Sequence, residues 1–261
     1  MSAPVFLAAA GTLGHEPGQA YRLEGAEARH AGVVQRRRVG DLVDVVDGAG
    51  VRLRCAITHV EPGVLDLEVR ARLVEPEPAV RVLLAQALAK GDRDERAIEA
   101  ATEVGVDGVI PWQAQRSIVV WRGDRAARSR AKWIATVRAA TKQSRRARLP
   151  EVAEAVTTTG LAERVAATVD AAGAALVLHE EAVEPLSAVG LPTSGDVLLV
   201  VGPEGGIDDV ELADLVRAGA RPVRLGPHVL RTSTAGPVAA ALVCERLGRW
   251  ATPGRSDVSA R

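Results

Sequence analysis

Val51, Leu53, Cys55 and Ile57 alternate with Arg52, Arg54, Ala56 and Thr58. Leu65, Leu67, Val69, Ala71 and Leu73 then alternate with Asp66, Glu68, Arg70 and Arg72. Period-two alternation marks strands that bury one face. Glu61-Pro62-Gly63 supplies the turn between these strands, and Asp47-Gly48 another before Val51. Short strands joined by tight turns predict a small β-barrel over residues 1–74. Glu75-Pro76-Glu77-Pro78 reads as a stiff linker, residues 75–78, because proline cannot continue a ladder.

Beyond the linker, residues 79–261 form a second domain in which strands alternate with helices. Val82 to Leu88, Val109-Ile110, Ala174 to Leu178, Val197 to Val201 and Val223 to Leu225 are the apolar runs expected of buried parallel strands. Asp92 to Val104 predicts a helix, with Asp92 and Glu95 spaced as a capping box and Gly105 as its stop. Asp208 to Ala218 repeats the pattern, with Asp208, Glu211 and Gly219. Ala126 to Ser144 predicts a basic helix with Ala131, Ile134, Ala135 and Val137 inward. A last helix should run from near Thr234 to near Gly248, with Pro237 in its first turn, where a missing N–H costs little. Thr252 to Arg261 read as a frayed end.

Composition narrows the classes. The 261 residues, 47% hydrophobic and 25% charged, have the balance of a globular protein with a real core. No apolar run approaches the length of a membrane span, and no secretory signal is visible, so a cytoplasmic location without membrane association is expected. Cys55 and Cys244 lie far apart and form no CxxC pair, so neither a metal site nor a disulfide framework is expected. Net charge is zero, but Arg116 to Arg148 holds eleven Lys or Arg against one acid, Asp124. A basic run alone suits a solvated helix face as well as a polyanion, but Trp121 and Trp133 lie among those cations, a combination that favours a nucleic acid.

Three strand ends carry unusual sequence. They are Leu178-His179-Glu180-Glu181, then Gly202-Pro203-Glu204-Gly205-Gly206 before a helix, then Leu225-Gly226-Pro227-His228-Val229-Leu230-Arg231-Thr232-Ser233-Thr234-Ala235 before another. Ligands of open α/β sheets bind at the carboxyl ends of strands, and glycines there let a backbone approach closely. The GPEGG loop has neither the P-loop lysine nor the GxGxxG spacing. His179 and His228 are not spaced as metal ligands.

With these loops, further segments match one family. They are His30, Val33-Val34 and Arg36, Gly40-Asp41, Asp47-Gly48, Ala101 to Val106, Gln115-Arg116-Ser117 and Gln143 to Arg146. Over nearly its whole length the chain resembles the RsmE family, the 16S ribosomal RNA uridine N3-methyltransferases. It departs from the family pattern at Ala100, where Lys is common, at Lys142, where an acid is usual, and at Ser233, where Glu is usual.

The resemblance implies a SPOUT-type α/β fold: a parallel sheet with a C-terminal trefoil knot, preceded by a PUA-like β-barrel. It implies S-adenosylmethionine (SAM) as cofactor, held by Leu178, His179, Glu180, Gly202, Pro203, Glu204, Gly205, Gly206, Leu225, Gly226, Val229, Leu230, Thr232, Ser233, Thr234 and Ala235. It implies a homodimer acting on 16S ribosomal RNA in the small subunit or its late precursor. Arg231 is the catalytic candidate, to stabilise negative charge on the uracil carbonyls when the N3 proton leaves; a structural ion pair is the competing role. Glu204 either faces the cofactor or, the reading preferred here, caps the helix at 208. Arg36, Arg37 and Arg38 touch phosphates or form a solvated turn. Arg116, Arg145, Arg146 and Arg148 are candidates for RNA phosphates. Action on another RNA such as transfer RNA, and a non-catalytic RNA-binding protein with a degenerate knot, are the rival readings.

Overall fold

The computed structural model describes residues 3–251; the end that reads as frayed, 252–261, lies outside them. The chain divides into two compact units, residues 1–78 with 137–150, and 79–136 with 151–261. The sequence places 137–150 in the second domain; these residues cluster instead with the first unit.

The first unit is a five-stranded sheet of order β1-β3-β4-β5-β2, built from β1 (Val5–Leu7), β2 (Ala20–Glu24), β3 (Leu42–Val46), β4 (Val51–Glu61) and β5 (Val64–Val74). β1 and β3 are parallel and the other pairs antiparallel. Between β2 and β3 lie a short helix α1 (Gly25–Arg29) and a π-helical turn, His30–Val34. Pro62-Gly63 closes the β4–β5 hairpin, with Gly63 at φ +83°. Leu53, Cys55, Ile57, Leu65, Leu67 and Val69 form the core with Phe6, Val43 and Val45, as the alternation requires.

Three positions break that alternation, the first being Ala56, expected on the wet face but buried. Leu73 is exposed, near the end of β5. Arg52, on the face expected to be wet, is buried. It ion-pairs with Asp44 and Glu75, both at 2.9 Å, and donates to the Arg145 carbonyl at 2.8 Å. The segment 145–149 is what covers it: Ala147 joins the Val5, Leu7 and Val46 cluster, and Leu149 N–H donates to the Gly48 carbonyl. The Pro-rich residues 75–78 are no free tether, because Glu75 N–H donates to the Gly50 carbonyl and Arg148 holds the carbonyls of Glu75 and Pro76.

The second unit is a parallel sheet of order β12-β10-β11-β6-β7-β8, with a short β9 also on β7. Its strands are β6 (Val80–Ala87), β7 (Gly108–Gln113), β8 (Glu151–Val152), β9 (Val156–Thr157), β10 (Ala174–Leu178), β11 (Gly195–Val201) and β12 (Arg221–Val223). The helices are α2 (Arg93–Val104), α3 (Asp124–Gln143, its end in the first unit), α4 (Thr158–Asp170), α5 (Asp209–Arg217) and α6 (Thr232–Arg246). Successive residues of β6 serve opposite faces. Ala85 and Ala87 join Val177, Leu198, Leu161, Val165 and Leu215, from β10, β11, α4 and α5. Leu84 lies against Gly236 of α6, where an added Cβ would come within 3.0 Å of it. A side chain at 236 would therefore require Leu84 and Gln86 to give way.

Helix ends follow the sequence in part. Gly105 (φ +121°) ends α2 and Gly219 (φ +104°) follows α5. Asp208 and Glu211 form the expected capping box. Asp92 does not: it is left-handed at φ 62° and makes no side-chain cap bond. Asp94 instead accepts the amides of Ala89 and Glu95, and burial leads in raising its pKa. In α3 the buried residues are Trp133, Val137, Ala140 and Thr141, while Ala131 and Ala135 are exposed. Trp121 and Trp133 are both buried, edge to face at 5.3 Å, so neither is an exposed stacking platform for bases. α6 starts at Thr232 rather than Thr234, which puts Pro237 in its second turn.

Candidate active site

β10, β11 and β12 are neighbouring or near-neighbouring parallel strands, so their carboxyl ends open on the same edge of the sheet. The loops after them enclose a cavity of about 410 Å³. It is lined by Leu178, His179 and Glu180 after β10, by Gly202, Pro203, Glu204 and Gly206 after β11, and by Val229, Leu230, Arg231, Thr232 and Ala235 at the start of α6. A second lobe of about 150 Å³ shares Leu178, His179, Glu180, Val229, Leu230 and Ala235 and adds Leu225 and Gly226. Three residues proposed for the cofactor do not line either lobe: Gly205, Ser233 and Thr234. Gly205 instead faces Arg116, whose Cβ would lie 3.3 Å from an added Cβ.

Local chemistry explains the loop shapes. Gly206 sits at φ +75°, where a side chain is strained. At Gly202 a Cβ would fall 2.6 Å from Ile207 Cγ1, so the turn closes only without one. Gln86, fully buried in β6, donates to Thr232 Oγ1 at 2.8 Å, and Thr232 Oγ1 donates to the Gly202 carbonyl at 2.8 Å. This relay ties the first turn of α6 to the end of β11. The helix starts early because the Ala235 amide already bonds the Arg231 carbonyl, at 2.9 Å. Sequence reading missed Gln86, because a Gln inside an apolar run carries no motif.

Arg93 was missed as well. It opens α2, lines the larger lobe and pairs with Glu204 Oε1 at 2.7 Å. The Lys90 amide donates to the same oxygen at 3.3 Å. Glu204 therefore does not cap the helix at 208, which the Asp208–Glu211 box serves. Burial opposes ionisation of Glu204, but the bonds from its own amide, Arg93 and Lys90 outweigh it and hold the carboxyl below its ordinary pKa. Arg231 is exposed at the N-cap of α6, and no ion pair or side-chain hydrogen bond holds its guanidinium among the described residues. The structural ion pair that competed for Arg231 is thus not seen there. His179 Nδ1 accepts the Glu181 amide at 3.3 Å, and His228 is exposed.

The arginines proposed for RNA fall into different settings. Arg116 donates to the Gly205 carbonyl and to Asp208, both at 3.2 Å, and so braces the GPEGG loop. Arg148 donates to the carbonyls of Glu75 at 2.7 Å and Pro76 at 3.2 Å, which makes it a brace of the first unit. Arg36 and Arg38 are exposed, and Arg37 is half-buried beside Gln35. Arg145 is exposed and lines a groove of about 690 Å³ in the first unit, with Leu42, Arg54 and Arg70. Arg146 is half-buried. Lys142 pairs with Glu27 at 3.0 Å.

Comparison with known proteins places the chain. Residues 75–244 match the RNA methyltransferase domain family. The ribosomal RNA small subunit methyltransferase E of Mycobacterium bovis is 45% identical over 228 residues, 87% of each chain. That of Bacillus subtilis is 29% identical, over 84% of this chain and 88% of its own. The crystal structure of the Neisseria gonorrhoeae ribosomal RNA small subunit methyltransferase E bound to SAM superposes with a TM-score of 0.81 at 27% identity, covering 94% of this chain and 98% of that one. The chain belongs to the RsmE family of ribosomal RNA small subunit methyltransferases.

Proposed function

We propose that this protein transfers a methyl group from SAM to N3 of one uridine in 16S ribosomal RNA, in the small subunit or its late precursor. Membership of the RsmE family carries the broader statement, SAM-dependent methylation of 16S ribosomal RNA. The observation that carries the site is the glycine-walled cavity at three parallel strand ends. Its larger lobe, about 410 Å³, is within the range of pockets that bury a drug-sized ligand. Its apolar lining, Leu178, Val229, Leu230 and Ala235, suits an adenosine, and its charged residues suit an amino-acid end. An added Cβ at Gly202 would meet Ile207, so the loop is shaped for bare backbone.

SAM, when bound, supplies a methyl group on a sulfonium, ready for in-line attack. The chain's task is positioning and charge. The cavity walls hold the cofactor, and Arg231 at the cavity edge presents its guanidinium to the uracil carbonyls as the N3 proton leaves. Ser233 stands where the family pattern has Glu, so the family's acid assigns no proton acceptor here. Exposed Arg36, Arg38 and Arg145, with half-buried Arg37 and Arg146, serve as the phosphate contacts in this reading.

The finer fold reading belongs to the same proposal: the sheet of the first unit as a PUA-like barrel, the C-terminal loops as a trefoil knot, the active form a homodimer in the cytoplasm. The strand order β12-β10-β11-β6 and the three loops converging on one cavity support the C-terminal part of this reading. Among the described residues no helix is long and apolar enough to cross a membrane. The deciding experiment is nucleoside mass spectrometry of 16S ribosomal RNA from cells with and without this gene. Loss of N3-methyluridine on deletion is expected. An unchanged nucleoside profile would overturn the assignment of base and atom.

A further inference from the structure

Arg93 and Glu204 place two opposite charges side by side on the wall of the larger lobe, and both are absent from the lining of the smaller one. Neither charge is consumed by structure. Arg93 spends one nitrogen on Glu204 and its side chain is 47% exposed. A guanidinium has five donors. Glu204 lines the lobe and takes Arg93 and the Lys90 amide on Oε1, with its own amide as a further donor. A carboxylate has about four acceptor sites, so acceptor capacity remains. SAM has one strongly zwitterionic part, an α-carboxylate and an α-ammonium on a single carbon. An Arg next to a Glu is the complementary arrangement, and charge-assisted hydrogen bonds of this kind are the strong ones.

We propose that the Arg93–Glu204 pair reads the amino-acid end of the cofactor, Arg93 taking the α-carboxylate and Glu204 the α-ammonium. This rests on the SAM reading of the cavity and deepens it. It makes the pair a specificity determinant: adenosine fragments lacking the amino-acid end gain nothing from it. The competing role is purely structural, Glu204 as an acid at the N-terminus of α2. That role would cost all ligands alike.

The test is calorimetric titration of the full-length protein with SAM, with S-adenosylhomocysteine and with 5′-methylthioadenosine. The last two are both neutral thioethers and differ only in the amino-acid end, so a loss due to that end is shared by SAM and S-adenosylhomocysteine. Arg93→Met should weaken both of these by about tenfold or more, the loss of one charged hydrogen bond. Methylthioadenosine affinity should stay within about twofold. Glu204→Gln, nearly isosteric, should show the same selective loss, to a smaller degree, and keeps the test valid if the Met variant does not fold. Equal weakening of all three ligands, a loss confined to SAM, or unchanged SAM affinity would overturn the proposal. A wild-type protein that binds none of the three would overturn the cofactor reading itself, a result distinct from these.

Discussion

The cavity of the second unit and the groove of the first are both open concavities, yet they are built from different parts of the chain. The cavity is walled by loop backbone at Gly202 and Gly206, with its entry turn pinned by Gln86 and Thr232. The groove is walled by side chains: Leu42, Val43 and Ala56 line it with Arg54, Arg70 and Arg145. Even Cys55 there is a spent group, its thiol pushed up to about 12 by burial and then by Asp44. Backbone walls present donors and acceptors at fixed positions and suit one small molecule. Arginines on long stems suit a polyanion whose phosphates vary in position. The cavity should therefore fail when a Cβ is added, and the groove only when charge is removed.

The largest effect should come from Gly206→Val. Its positive φ strains any side chain, and Gly206 is part of the cavity lining. SAM binding by calorimetry should fall by about a hundredfold or more, the equivalent of losing two good polar contacts. Gly205→Val sharpens the comparison, because Gly205 has no positive φ and lies outside the cavity lining, and an added Cβ there meets Arg116 Cβ at 3.3 Å. Its loss should be several times smaller. Equal losses at 205 and 206 would mean that loop order, not wall shape, sets affinity.

Arg231→Ala comes next and separates binding from chemistry. A side chain that acts on charge developing in the transition state lowers turnover without changing cofactor affinity. The single-turnover methylation rate should drop by about a hundredfold, as on losing one oxyanion donor. SAM affinity and melting temperature should stay near wild type, since the guanidinium has no ion pair among the described residues. Arg231→Lys should rescue only in part, because a point charge lacks the planar fork. A normal rate in the Ala variant would remove Arg231 from the chemistry.

How far the sequence could take a reader differs between the same two regions. Turns and stops set by local chemistry were legible: Pro62-Gly63, the Asp208–Glu211 box, Gly105 and Gly219. So were the three loops, whose composition is odd for plain turns. Contacts made by residues far apart in the chain were not. Arg52 reads as a wet position until residues 145–149 fold over it. Trp121 and Trp133 read as part of a basic block, though each buries its ring against the other. Arg93 and Glu204 are 111 residues apart, and no local pattern announces the pair. Asp92 has the right residue type and spacing for a cap, but the left-handed turn at Gly91-Asp92 points it elsewhere.

Within the first unit, Arg148 and Arg145 offer a contrast three residues apart. Arg148 satisfies two carbonyls, so Arg148→Ala should cost about 1–3 kcal/mol of stability. Thermal or urea melting reads this directly. Arg145 is exposed and serves the fold through its carbonyl, so Arg145→Ala should melt with the wild type. If it contacts a phosphate, the log–log salt slope of RNA binding should flatten by about 0.7–0.9. A flattened slope in the Arg148 variant with unchanged stability would reverse the two roles.

The smallest effect tests the charge of Glu204 itself, and its sign can be derived. Its carboxyl is held below the ordinary value of 4.5, because hydrogen bonds from its own amide, Arg93 and Lys90 outweigh a burial term that acts the other way. A depressed acid binds its proton less tightly in the folded chain than in the unfolded one. Its contribution to stability is therefore fully present above the unfolded pKa and disappears as pH falls through the folded value. Glu204→Gln removes the charge but keeps the shape. At neutral pH the wild type should melt slightly higher than this variant, by the modest amount a partly exposed ion pair allows. The gap should shrink as pH drops below 4.5 and close once the wild-type carboxyl is protonated. Differential melting of the two proteins across that acid range checks it. A variant more stable than wild type at neutral pH would show that burial dominates at this site, and that the pair is held at a cost the cofactor's amino-acid end must offset.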